Sequence, residues 1–108
     1  MRAYQLPKGG AGIDALAKVE RPNPKPGHRQ VLVKVVACSL NFRDLGIVRG
    51  TYRMPVRDNI VPPSDGAGEV VEVGGGVTRV KVGDKVAGCF FQRWSGGEAP
   101  PEVQASAL

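Results

Sequence analysis

The sequence predicts a mainly β chain, a partly open barrel with one short helix. Three observations carry this expectation. Short apolar runs rich in β-branched residues recur along the chain between turn signals. Fifteen glycines and nine prolines punctuate those runs without a fixed period, which suits a turn-rich β fold and excludes collagen and low-complexity tracts. One segment, opening at Asn41, carries helix start and stop signals. Several strands with a single helix match the barrel architectures. A length of 108 residues, 42% of them hydrophobic, supports one domain with a real core and modest stability.

Met1 to Leu6 reads as a first strand, closed by Pro7, Gly9 and Gly10. Ile13 to Val19 alternates apolar and polar residues and reads as a second. Arg21 to Gln30 holds three prolines and Gly27; each proline removes a ladder donor, so this is a loop. Val31 to Leu40 is the longest apolar run, with Lys34 its one charge, and reads as a central strand covered on both faces. Asn41 is an N-cap candidate and Asp44 lies in the first turn, where the helix dipole favours a negative charge. Leu45, Ile47 and Val48 give the apolar face and Gly50 the stop, which predicts a helix from about Phe42 to Arg49. Thr51 to Pro63 is a loop. Glu69 to Val73 alternates strictly as a strand, Gly74-Gly75-Gly76 turns it, and Val77 to Val80 extends it beyond a bulge. Gly83-Asp84 is a turn that launches a strand from Lys85 to Phe91; periodicity is lost after Gln92.

The net charge of +5 comes from scattered Lys and Arg, and the six aromatics do not interleave with them. A nucleic-acid surface needs clustered basic residues and stacking partners, so that class is disfavoured. Cys38 and Cys89 lie in or beside apolar runs with no partner nearby and read as buried free thiols in a reducing compartment. No apolar run reaches the roughly 18 residues that span a bilayer, and Met1-Arg2-Ala3-Tyr4 enters a strand pattern directly. A cytoplasmic location and no membrane partner are expected.

The most specific pattern is Pro63-Ser64-Asp65-Gly66-Ala67-Gly68-Glu69-Val70-Val71-Glu72-Val73-Gly74 followed by Val82-Gly83-Asp84-Lys85-Val86, with Asn41-Phe42-Arg43-Asp44 upstream. Together these resemble the N-terminal GroES-like catalytic domain of the medium-chain dehydrogenase/reductase superfamily, in its zinc-lacking quinone oxidoreductase and alcohol dehydrogenase-like branch. The resemblance covers roughly residues 1 to 95. It implies that residues 1–108 are a C-terminally incomplete GroES-like domain whose cofactor-binding Rossmann domain is absent. Neither Gly9-Gly10-x-Gly12 nor Gly74-Gly75-Gly76 opens a helix, so neither is the dinucleotide fingerprint.

In zinc-dependent members a Cys opens the helix and a Gly-His-Glu triplet precedes the glycine-interrupted strand. Asn41 and Pro63-Ser64-Asp65 stand at those positions here. Amide and hydroxyl oxygens are poor zinc donors, so no metal is expected. His28, the only histidine, lies in the proline-rich loop.

The resemblance implies NAD(P)H, with NADPH favoured, and hydride transfer to or from a carbonyl, quinone or activated alkene. It implies Asn41, Asp44 and Tyr52 as catalytic residues and Asn41, Phe42 and Arg43 as cofactor contacts. Asn41 would bond the nicotinamide ribose or the substrate, Asp44 would orient Asn41 or a basic group, and Tyr52 would donate to a substrate oxygen. Each has a plainer reading: Asn41 as a cap alone, Asp44 as a dipole partner or a partner of Arg43 or Arg49, Tyr52 as loop packing, Arg43 as a solvated side chain. Gly66 and Gly68 read as points of close backbone approach. The 108-residue chain alone is expected to be inactive and to self-associate, as a homo-oligomer or through an open sheet edge. The alternative is a stand-alone GroES-like barrel acting as a co-chaperonin-like binding module.

Overall fold

The computed structural model describes residues 1–54, 56–91, 94, 96–98, 100, 101 and 103. Strands β1 (Arg2–Gln5) and β2 (Ala17–Glu20) pair antiparallel, from Arg2 opposite Glu20 to Gln5 opposite Ala17. Strands β3 (Val31–Ser39), β4 (Asp65–Val73) and β5 (Lys85–Ala87) form a second antiparallel sheet in the order β3-β4-β5. Helix α1 (Phe42–Val48) connects β3 to the loop that leads into β4. A single bridge, Leu6 to Ile60, ties the end of β1 to that loop. The sheets do not close into a complete barrel among the described residues. No helix among them is long and apolar enough to cross a membrane.

The core is small. Leu6, Ile47, Val48, Val70 and Val103 are its buried apolar side chains among the described residues. Ile47 and Val48 come from the face of α1 that the spacing marks as apolar, which is how amphipathic periodicity orients a short helix. Asp44 and Ser64 are buried with them.

Several sequence expectations need correction. The second strand is split: Ile13–Ala15 form a 3-10 turn and only Ala17–Glu20 pair. Gly12 sits at φ +92, and its carbonyl accepts Ala15 N–H at 3.1 Å; three residues of alternation do not separate such a turn from a strand. Val77–Val80 form no strand, and the last strand stops at Ala87 rather than Phe91. After Ala87 one further bond, Gly88 N–H to Gly66 O at 3.0 Å, ends the pairing. The expected Gln92 boundary lies outside the described residues. Strand β3 is long but not central. Among the described residues it borders β4 on one side only, and it is exposed from Lys34 to Ser39. Cys38, on that exposed strand, and Cys89, beyond β5, are both free and exposed, not buried.

Of the two glycines of β4, Gly68 marks a close backbone approach and Gly66 does not: a Cβ on Gly66 would meet the Val35 side chain at an ordinary 3.6 Å. A Cβ on Gly68 would collide with the backbone carbonyl of Lys34, beside the β3–β4 irregularity between Val35 and Ala37. That is the close approach that excludes a side chain. At the other end, Gly74 N–H bonds Gln30 O at 2.8 Å and Arg29 N–H bonds Gly75 O at 2.8 Å. There too a Cβ, on Gly74, would run into the carbonyl of Gly27. The two turns clasp through bare backbone.

Candidate active site

The last pair of the β3–β4 ladder, Ser39 opposite Asp65, brings the start of α1 beside the start of β4. The candidate residues gather at this junction. Asn41 is the N-cap, with extended φ −120 and ψ 156. Asp44, the third helical residue, closes a capping box by accepting Asn41 N–H on Oδ2 at 2.8 Å. The Asn41 side chain reaches across the junction, and its Nδ2 donates to Asp65 Oδ2 at 2.7 Å.

Asp44 is only 6% exposed. A buried carboxylate is costly unless donors surround it. They do: besides Asn41 N–H, its Oδ1 accepts Ser64 N–H at 3.2 Å and Ser64 Oγ–H at 2.8 Å. Asp44 thus ties the first turn of α1 to the chain just before β4. Its partners are Asn41 and Ser64, not Arg43 or Arg49.

Arg43 is half-buried, contrary to the solvated reading. Its Nη1 donates to Ser64 Oγ and its Nε donates to Tyr52 Oη at 3.1 Å. The guanidinium carbon lies 5.0 Å from the Tyr52 ring centroid and 4.9 Å from that of Phe90. Cation–π attraction from two rings holds it in place. Guanidinium is donor-only and carboxylate acceptor-only, so the Ser64 hydroxyl has one orientation: it accepts from Arg43 and donates to Asp44.

Tyr52 is brought back to the helix because Thr51 and Tyr52 N–H both bond Gly46 O, at 2.9 and 3.1 Å. Its hydroxyl donates to Met54 Sδ at 3.8 Å. Tyr52 and Met54 also line a cavity of about 260 Å³, with Leu6, Ile47, Ile60 and Arg57.

The structure therefore brings Asn41, Arg43, Asp44 and Tyr52 together. It does not bring in Phe42, which is 87% exposed on the opposite side of the same turn. The sequence marked Ser64 and Asp65 only as residues standing at metal-ligand positions, Asp65 alone of them able to coordinate, and Phe90 only as a strand residue. Counting donors for a buried Asp44 is the signal that points to Ser64. Among the described residues no three His, Cys, Asp or Glu side chains converge on one point.

Residues 27–102 match the family model of the alcohol dehydrogenase GroES-like domain. The chain belongs to this family. Curated relatives include the chloroplastic quinone-oxidoreductase QR1 of Triphysaria versicolor, 38% identical over 98% of this chain and 37% of the relative. The chloroplast envelope quinone oxidoreductase homolog of Arabidopsis thaliana is 41% identical over 100% of this chain and 33% of the relative. Among solved structures, Escherichia coli quinone oxidoreductase complexed with NADPH superposes with a TM-score of 0.71, at 29% identity, over 81% of this chain and 26% of that one. The chain spans about a third of the length of the curated relatives it matches. The GroES-like domain thus accounts for the mainly β, incompletely closed architecture and its single helix.

Proposed function

We propose that this GroES-like chain is the catalytic domain of a zinc-independent, NAD(P)H-dependent oxidoreductase acting on a small carbonyl, quinone or activated alkene. One observation carries the reading. Among the described residues of the cluster, the acceptor facing the Tyr52 proton is a thioether, a weak one, so the proton is available to an incoming oxygen. The NADPH complex of the E. coli relative and the names of the plant relatives support the cofactor and substrate class.

Bound NAD(P)H supplies the hydride. The chain's own residues do the rest. Tyr52 donates a hydrogen bond to the oxygen where negative charge grows, the task a pre-placed donor performs in a dry site. Asn41, fixed by Asp65, would hold the nicotinamide side. Arg43 is already engaged with Ser64 and Tyr52 and would serve the site rather than a cofactor phosphate.

A zinc ion fits the donor set poorly. Asn41 offers an amide bonded to Asp65, and Ser64 a hydroxyl committed to Asp44; zinc favours thiolate and imidazole. Free, exposed Cys38 and Cys89 agree with a reducing compartment such as the cytoplasm. The one-sided β3 edge supports self-association.

The test is a chimera in which this chain replaces the matching segment of the E. coli relative. It should oxidise NADPH when given a quinone, with no loss in EDTA, whereas the 108-residue chain alone should not. Tyr52→Phe should lower kcat of the chimera by about 10²–10³. A folded chimera that binds NADPH but reduces no quinone, enone or aldehyde would refute the reading, and EDTA sensitivity would refute its zinc-independent part.

A further inference from the structure

We propose that Arg43 is a positioning residue that aims the Tyr52 proton at a carbonyl ligand, with Ser64 and Asp44 as its anchor. The inference rests on Tyr52 being the donor of the proposed reaction and adds what sets its direction.

The argument is one of donors and acceptors. Arg43 Nε–H lies 3.1 Å from Tyr52 Oη. A guanidinium cannot accept, so the phenol oxygen is the acceptor in this bond. Its own proton must therefore point elsewhere. The acceptor the structure supplies is Met54 Sδ at 3.8 Å, a weak one that a carbonyl oxygen readily displaces. Without Arg43, the Tyr52 hydroxyl would be free to rotate and to donate to other acceptors.

Arg43 can impose this direction only if it is itself held. Three contacts hold it. The Tyr52 and Phe90 rings flank the guanidinium at 5.0 and 4.9 Å, and Nη1 is tied to Ser64 Oγ. Ser64 is in turn locked by its hydroxyl and its N–H on Asp44 Oδ1. The bonds diverge from Arg43, which donates to Ser64, itself a donor to the buried carboxylate, and to the half-exposed phenol. Lysine lacks the planar fork that serves two acceptors at once.

The chain carries two tyrosines, and Tyr4 lies exposed on β1, away from the Arg43 bonds. Tyrosine labelled with 13C at the phenolic carbon gives two NMR signals, with Tyr52→Phe as the assignment control and acetophenone as an unreactive carbonyl probe. In the native chain acetophenone should displace the Tyr52 signal and leave Tyr4 in place. Arg43→Ala should shift the Tyr52 signal before any probe is added and weaken its response to acetophenone by about tenfold, the loss of one modest hydrogen bond. Arg43→Lys should not restore either, and Ser64→Ala should produce the same changes at smaller size.

A folded Arg43→Ala chain with an unmoved Tyr52 signal and an unchanged probe response overturns the proposal. Should that variant not fold, unmoved Tyr52 signals in both Arg43→Lys and Ser64→Ala overturn it equally. A native Tyr52 signal that ignores acetophenone but still moves in Arg43→Ala overturns Tyr52 as the carbonyl donor and upholds the Arg43 hold on its hydroxyl.

Discussion

Phe42 and Asp44 stand two residues apart on the first turn of α1 and are placed against their chemistry. The carboxylate is 6% exposed and the phenyl ring 87% exposed. Transfer energetics favour the reverse arrangement. Asp44 is compensated from within, by donors from Asn41 and Ser64. Phe42 has no such cover, and with Leu40 and Val36 it extends the exposed apolar side of β3. One side of the helix start is a finished polar junction. The other is a surface suited to contact with a second body.

The sharpest way to break the finished side is Asp44→Ala. It removes the acceptor for two backbone N–H groups and a hydroxyl, and should cost about 3 kcal/mol, read as a drop in the urea midpoint at unchanged slope. A loss below about 1 kcal/mol would mean that water replaces the carboxylate and the junction is not sealed. Next in size is Gly68→Ala, which pushes a methyl group into the Lys34 carbonyl where β4 crosses β3. The expected cost is about 2 kcal/mol by the same measurement.

The open side responds differently. Leu40→Ser with Phe42→Ser should leave monomer stability within about 0.5 kcal/mol, since neither side chain is buried. The pair should lower self-association in sedimentation equilibrium. Unchanged association would move the contact to the backbone edge of β3.

The smallest effect belongs to a charge pair outside both sides. Asp84 is held below its ordinary value of 3.8, first by the Lys81 ammonium and then by Lys81 N–H. A depressed carboxyl stabilises the fold above its unfolded-state value and loses that contribution as pH falls through the lower folded-state value. Asp84→Asn should therefore be slightly less stable than the native chain near neutral pH, and the gap should shrink below about pH 4. The pair is exposed and screened, so the change is small and salt-sensitive.

Much of the fold was legible because β4, α1 and the turns carry local signals. Alternation marks Glu69 to Val73, and Asn41, Asp44 and Gly50 mark both ends of the helix. The Ile13 and Val77 segments were not legible, because short apolar alternation is compatible with turns as well as strands. The neighbours of β3 were not legible either: an apolar run records that something can cover it, not what does. At the site, Asn41, Asp44 and Tyr52 could be marked as polar residues around a helix start. The Arg43–Ser64–Asp44 connection could not, since it joins residues about 20 apart whose meeting depends on the β3–β4 register.

That register has a distant guardian. Strands β3 and β4 each run nine residues, about 30 Å, from the Gly27–Gly74 clasp to the Ser39–Asp65 pair. A slip of one residue would turn every side chain of the strand to the other face. In the direction that brings Val73 to the clasp it would also carry a Cβ into the slot where Gly74 now lies against the Gly27 carbonyl. The spacing between Asn41 and Asp65 is thus guarded against that slip from the far end of the sheet, and a single bulky substitution at Gly74 would strain the same register without touching the polar junction.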